Sequence, residues 1–293
     1  MKKKNLLGML AVVGTMMLVA CGSSTDTDTV TNVVEEVETT EETAETEEQE
    51  DIEQVEELEL TELIMGFDAN FPPYGYQDVS GEYVGFDIDL AQEVCDRLGI
   101  TLVKQPIDWN SKDMELESGA IDCIWNGFTL SEARADAYTW SVPYVDNSQV
   151  FVVSTDSGIT TIADLTDMVV VVQAGSSALE ALSTEEGNEL VATFQELMEV
   201  PDYNNAFMQL ESGVADAVAL DIGVANYQLS TRDGAFIMME EPLSTEVYAI
   251  GFLLGNTQLK DMVEGQLMEM VEDGTFMDIA TTWGLQDSVT LGR

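Results

Sequence analysis

An α/β chain folded as two lobes of similar plan is predicted by three observations: an internal repeat, glycine stops after amphipathic helices, and continuous apolar strands. Met114-Glu-Leu-Glu-Ser-Gly-Ala-Ile-Asp122 and Met208-Gln-Leu-Glu-Ser-Gly-Val-Ala-Asp216 begin 94 residues apart and share six of nine positions. Each reads as the end of a helix, a glycine stop at Gly119 or Gly213, and a short strand. The strands, Cys123-Ile124-Trp125 and Ala217-Val218-Ala219-Leu220, are apolar throughout. That pattern suits strands covered on both faces, as in parallel sheets with crossover helices.

The remaining elements follow in order. A first strand is expected over 63–67. A helix is expected over 87–98, with Leu90, Ala91, Val94 and Leu98 on one face and Gly99 after it. A second strand covers 102–105. In the second lobe a strand over 168–173 is followed by the turn Ala174-Gly175-Ser176-Ser177 and a helix through Leu179 and Leu182. Ligands of open α/β sheets bind beyond the carboxyl ends of strands, which singles out residues 68–71, Trp109, 126–134, 173–177 and Asp221.

Charge narrows the function. The 293 residues carry 56 acidic against 10 basic side chains, a formal net charge of −46, and no histidine. A chain this negative repels a phosphate backbone, so no nucleic-acid partner is expected. Without imidazole there is no histidine-built zinc site, no Ser-His-Asp or Cys-His nucleophile and no imidazole base. No cofactor is implied. Cys95 and Cys123 fall on a helix and a strand and read as buried small hydrophobes, with no disulfide predicted.

The N-terminal residues divide into two segments. Residues 1–20 hold Lys2, Lys3 and Lys4 and no acid. The apolar run 6–19 is too short for a comfortable membrane span and has the form of an export signal. The run ends in Leu18-Val19-Ala20-Cys21 and resembles the lipobox of bacterial lipoproteins, which implies cleavage and lipidation of Cys21. Residues 21–60 are Glu- and Thr-rich, and positions 23–62 hold 17 acidic residues and no basic one. Mutual repulsion and sparse apolar surface make a disordered tether, averaging roughly 35 Å end to end before repulsion lengthens it.

Several spaced motifs then share one likeness. Gly66-Phe-Asp-Ala-Asn-Phe-Pro-Pro-Tyr74, Gly85-Phe-Asp-Ile-Asp-Leu-Ala91, Asn126-Gly-Phe-Thr-Leu-Ser-Glu-Ala-Arg134 and Ser141-Val-Pro-Tyr144 resemble the family 3 bacterial extracellular solute-binding proteins, the amino-acid-binding subunits of ABC importers. The likeness runs from about residue 61 to Trp283. It implies a periplasmic-binding-protein-like type II fold, two α/β lobes joined by a two-crossing hinge near 144–148 and 246–250. Lobe one would comprise 61–148 and 246–293, and lobe two 149–245. It implies capture of a free amino acid, an ABC permease as partner, and a monomer held by lipid on the extracytoplasmic face of the cell membrane. An enzyme on the same fold, a lytic transglycosylase or dehydratase relative, and an extracellular ligand sensor are the other readings.

The chemistry of a zwitterion points to the same residues. An α-amino acid needs a cationic fork for its carboxylate and an anionic acceptor for its ammonium. Arg134 is one of seven basic residues after the signal and can grip a carboxylate bidentately. Its competing role is a surface partner for Glu132 or Asp136. Thr129 and the main chain at Asn126 and Gly127 can add donors. Asp221, directly after a strand of lobe two, would accept the ammonium, while Asp216 precedes the strand and suits a turn or capping role. The turn after Gln173, with Ser176 and Ser177 at a helix start, offers backbone N–H groups to a carboxylate. Phe71 and Trp109 are core residues by composition, and the resemblance implies that their rings pack on the ligand. Asp68 either meets a polar or cationic ligand side chain or caps its turn.

Overall fold

The structure, a computed structural model, describes residues 60–292. The export signal, Cys21 and all but the last residue of the tether lie outside the described residues. Two mixed sheets carry the architecture. In the first, strands run in the order Thr101–Pro106, Glu62–Phe67, Cys123–Ile124, Gly251–Leu253 and Tyr138–Trp140; the first three are parallel and the last two join antiparallel. In the second, Glu196–Val200, Val169–Gln173 and Ala217–Asp221 are parallel. They are followed by the antiparallel Val145–Ser154, Ser244–Tyr248 and Thr129–Leu130.

The continuous apolar strands pair parallel, as their pattern suits, and the antiparallel part of each sheet comes from the crossings. The long strand Val145–Ser154 carries the chain from one sheet to the other and Ser244–Tyr248 brings it back. The two pair antiparallel, with Val145 opposite Tyr248 and Asn147 opposite Glu246. A chain that leaves a lobe and returns to it runs the second crossing against the first, so each sheet gains an antiparallel part. Thr129–Leu130 hydrogen-bonds to the returning strand, so this short piece is tied to the crossing. The result is the type II two-lobe fold.

The repeat occupies equivalent places in both sheets. Cys123–Ile124 and Ala217–Asp221 each pair with the middle strand of the sheet's three parallel strands, Glu62–Phe67 or Val169–Gln173, and each follows a helix, Lys112–Glu117 or Tyr203–Glu211. Leu116 and Leu210 are buried while Met114 and Met208 are 64% and 61% exposed. The hydroxyls of Ser118 and Ser212 bond back to the carbonyls of Glu115 and Gln209, and Gly119 and Gly213 stop the helices at φ 73° and 71°. Asp122 then accepts the Ile64 N–H at 2.7 Å and Asp216 the Val169 N–H at 2.8 Å. The shared residues are thus those a helix-to-strand turn needs, and Asp216 has the capping role.

Continuous apolar strands bury both faces. Val170, Val171 and Val172 are fully buried, with Val171 in one core cluster and Val170 and Val172 in the other. Each such side chain contributes about 1.5–3 kcal/mol of burial. The predicted helix spans Phe86–Leu98, one residue earlier than expected, because Gly85 at φ 148° lets the chain enter the first turn against the Tyr74 carbonyl. The C-terminal helix Thr257–Asp273 buries Leu259, Val263, Leu267 and Met270 against the first lobe. Cys95 and Cys123 are buried and unbonded.

Candidate ligand-binding site

Nine predicted residues line one cavity between the sheets: Phe71, Trp109, Gly127, Thr129, Arg134, Gln173, Ser176, Ser177 and Asp221. The cavity holds about 10 Å³, room for about one water. The lobes are closed on each other. Gln173 Nε2 donates to Asp68 Oδ2 at 2.7 Å, Lys112 Nζ to the Gly175 carbonyl at 3.1 Å and Asn204 Nδ2 to Asn70 Oδ1 at 2.8 Å.

The cationic wall is Arg134. Its Cζ lies 5.3 Å from the Phe128 ring centroid, and its Nε pairs with Glu180 Oε2 at 2.9 Å. The carboxylate partner is therefore on the helix Ser177–Leu182, across the cleft, and the expected neighbours Glu132 and Asp136 do not fill that role. Behind it Lys112, 5% exposed, bonds to the carbonyls of Trp109 and Gly175 and lies over the Trp109 ring. Burial, and after it the charge of Arg134, pulls the Lys112 ammonium down to about 8.

The anionic wall is Asp221, 3% exposed at the end of its strand. Oδ1 accepts from Tyr248 at 2.5 Å, Asn147 Nδ2 at 2.8 Å and Gln149 Nε2 at 2.7 Å, and Oδ2 from Tyr203 at 3.2 Å. Every one of these donors is neutral. Among the described residues no cation forms an ion pair with Asp221. Glu246 stands beside it on the returning strand, its Oε1 accepting from Thr129 Oγ1, Asn147, Gln149 and Ser177 Oγ at 2.7–3.1 Å. Burial, and then the charge of Glu246, pushes the Asp221 carboxyl above the usual range.

Two expected roles at the main chain change. The Gly127 N–H donates to Asp87 Oδ2 at 2.7 Å, and Asp87 also accepts from Tyr144 at 2.9 Å, so that N–H is already engaged and not a free donor. Gly127 sits at φ 54°, and a Cβ there would lie 2.7 Å from the Phe71 ring and 3.0 Å from Tyr248; ring packing demands the glycine. Asn126 lies outside the cavity lining and braces the site from behind, its Oδ1 accepting the Asp68 N–H at 3.0 Å. Asp68 also stands one residue back, its Oδ1 taking the Asn70 N–H at 2.8 Å and its Oδ2 meeting Gln173. Burial pushes its carboxyl up to about 6.

Ser176 caps the helix Ser177–Leu182 by accepting the Leu179 N–H at 3.2 Å, which leaves Ser177 Oγ 3.1 Å from Thr129 Oγ1 and 2.9 Å from Gln149 Nε2. Phe71 packs 5.6 Å from Tyr74 and 5.9 Å from Tyr203, and Trp109 stands edge-on to Phe128 at 5.7 Å, so both rings are core and cavity wall at once. Sequence reasoning missed Asn147, Gln149, Lys112 and Glu180, and took Glu246 only as a hinge boundary. The first two carry a signal: they are polar at alternate positions of a strand whose next residues, Val150 to Val153, are all buried. Nothing in the sequence links Glu180 to Arg134.

A model of bacterial extracellular solute-binding proteins, family 3, matches residues 63–286. The chain is 26% identical over 223 residues to the L-cystine-binding protein TcyJ of Escherichia coli (strain K12), spanning 75% of this chain and 82% of that protein. An ABC uptake transporter substrate binding protein from Streptococcus pneumoniae with bound histidine superposes with a TM-score of 0.74 at 34% identity, covering 78% of this chain and 94% of the other. The ancestral amino acid-binding protein AncCDT-1, a precursor of cyclohexadienyl dehydratase, superposes with a TM-score of 0.69 at 28% identity, covering 76% and 95%. With motifs, fold and a cleft between two lobes in agreement, the chain belongs to the bacterial extracellular solute-binding proteins, family 3.

Proposed function

We propose that this protein captures a free amino acid between its lobes and delivers it to an ABC import permease from a lipid anchor at Cys21 on the extracytoplasmic face of the membrane. Residues 61–148 with 246–293 act as one lobe and 149–245 as the other. Arg134 grips the ligand carboxylate with help from Thr129, Ser176 and Ser177. Asp221 accepts the ammonium, Phe71 and Trp109 flank the aliphatic part, and Asp68 with Gln173 closes the side-chain end. A buried Asp68 favours a polar or cationic side chain.

The observation that carries this reading is the state of Asp221. A carboxylate that is buried, bonded only by neutral donors and placed beside a second carboxylate lacks a counter-cation, and it lines the same cavity as Arg134. An amino acid supplies the missing cation for Asp221 and, in the same molecule, a carboxylate for the inward side of Arg134. The closed cavity is too small for it, so capture begins with the lobes apart, and the ligand shifts the population by its higher affinity for the closed form.

The test is a thermal-shift screen of the full chain with the twenty amino acids, cystine and ornithine. A binder present at a hundred times its Kd adds about 2.7 kcal/mol of stability. Failure of every compound to raise the melting temperature sinks the reading. Recovery of the bound compound unaltered separates a binder from an enzyme such as the dehydratase to which one structural neighbour is a precursor.

A further inference from the structure

We propose that Glu180 is a cross-lobe latch that also positions Arg134: one carboxylate on the second lobe holds two residues of the first and is let go only when the lobes part. Glu180 Oε2 takes Arg134 Nε at 2.9 Å, and Glu180 Oε1 takes Ser131 Oγ at 2.5 Å. Both partners lie on the stretch following Thr129–Leu130, whereas Glu180 lies on the helix capped by Ser176. With the lobes as proposed, both bonds cross from one to the other, so opening would part them.

Geometry separates this contact from that of a ligand. Glu180 borders an outer groove shared with Ser131, Ala181 and Thr184 and does not line the cavity, which Arg134 does. It therefore meets the guanidinium along its Nε edge from outside. Nη1 makes one long bond, 3.4 Å, to the Thr129 carbonyl, and the other Nη hydrogens remain for a carboxylate arriving inside, as the planar five-donor fork allows. Holding Nε also fixes the plane of the fork once the lobes close on the ligand. The pair is partly screened, with side-chain exposures of 13% and 28%, so its contribution is that of a latch and not of a core contact.

This inference rests on the capture reading only in that ligand release requires opening. It predicts that Glu180→Gln leaves the association rate unchanged and raises the dissociation rate about tenfold. Ser131→Ala should raise it less, and the double variant should release no faster than Glu180→Gln. Glu132→Gln, on the same segment, should release at the wild-type rate. Stopped-flow rates on the full chain with L-arginine, L-histidine and L-cystine measure this. Small-angle scattering of the ligand-free chain should show Glu180→Gln more expanded than wild type.

An unchanged dissociation rate, slower release, or strictly additive effects of the two substitutions overturn the latch. Should the wild type take up none of the three amino acids, the capture reading is in difficulty while scattering still decides the latch; identical curves for wild type and Glu180→Gln then reject it.

Discussion

The two copies of the helix-to-strand repeat are built alike and end in opposite chemistry. In both, a buried leucine, a serine bonded back to its own helix, a left-handed glycine and a capping aspartate bring the chain into a strand beside the middle one of the sheet's three parallel strands. Beyond the strand, the first copy leads to Thr129 and Arg134, the second to Asp221. The scaffold repeats and the charges do not. Two similar frames facing one another thus present a cation from one side and a carboxylate from the other, which is the arrangement a zwitterion requires.

The two walls also differ in how their charges are balanced, and substitution should expose that difference. Arg134 has Glu180 as a partner, whereas Asp221 has only neutral donors and Glu246 for a neighbour. Arg134→Ala and Asp221→Asn should each lower amino-acid affinity about a hundredfold or more, since each removes a charge-assisted contact. Their effects on the empty protein should part. Arg134→Ala should cost no more than about 1 kcal/mol, as for a surface substitution. Asp221→Asn should leave stability equal or higher, because it removes a buried charge beside Glu246 while keeping an amide oxygen for Tyr248. Calorimetric titration and thermal melts on the same samples check both halves. Equal destabilisation by the two variants would abolish the distinction between the walls.

Acid offers a milder probe of the same contrast. Asp68 ionises near pH 3.8 when unfolded and about 6 when folded, and Asp221 shifts in the same direction. Between those values the folded protein binds more protons than the unfolded one. The contribution of these groups to stability is therefore fully present below pH 3.8 and falls as the pH rises through about 6. Ammonium capture has the opposite sign, since it needs Asp221 ionised. Acidifying through this window should weaken amino-acid affinity while these two groups resist the general acid destabilisation of the empty protein. Asp221→Asn should flatten the affinity profile. A variant that retained binding and the full profile would remove Asp221 from the ammonium role.

Much of this was legible because it depends on local pattern. Glycine stops, apolar runs, the residues directly after strands and the spaced motifs singled out eleven ligand residues, nine of which line one cavity. What escaped depends on contacts between distant segments. Glu180 reaches Arg134 only through the approach of the lobes, and Glu246 reaches Thr129 only because Thr129–Leu130 pairs with the returning strand. Asn126 is singled out because it follows a strand, yet its side chain braces the framework behind the cavity, and of the two roles open to Asp68 the structure shows the turn cap through the Asn70 N–H. Gly127 was expected to offer its N–H, but a buried carboxylate forty residues earlier had taken it.

The smallest expected effect bears on the repeat itself. Gly119 and Gly213 stand at φ 73° and 71°, and a Cβ at either would meet nothing within 4 Å. Alanine at either position therefore incurs backbone strain without a clash, a cost of about 1 kcal/mol set by the left-handed conformation. Because the surrounding turns match bond for bond, Gly119→Ala and Gly213→Ala should lower the denaturation midpoint by similar amounts and leave amino-acid affinity unchanged. The double variant should be additive, as expected for separated sites with no shared partner. A cost several times larger in one copy than in the other would mean that the two turns, alike in their hydrogen bonds, differ in how firmly each lobe holds them.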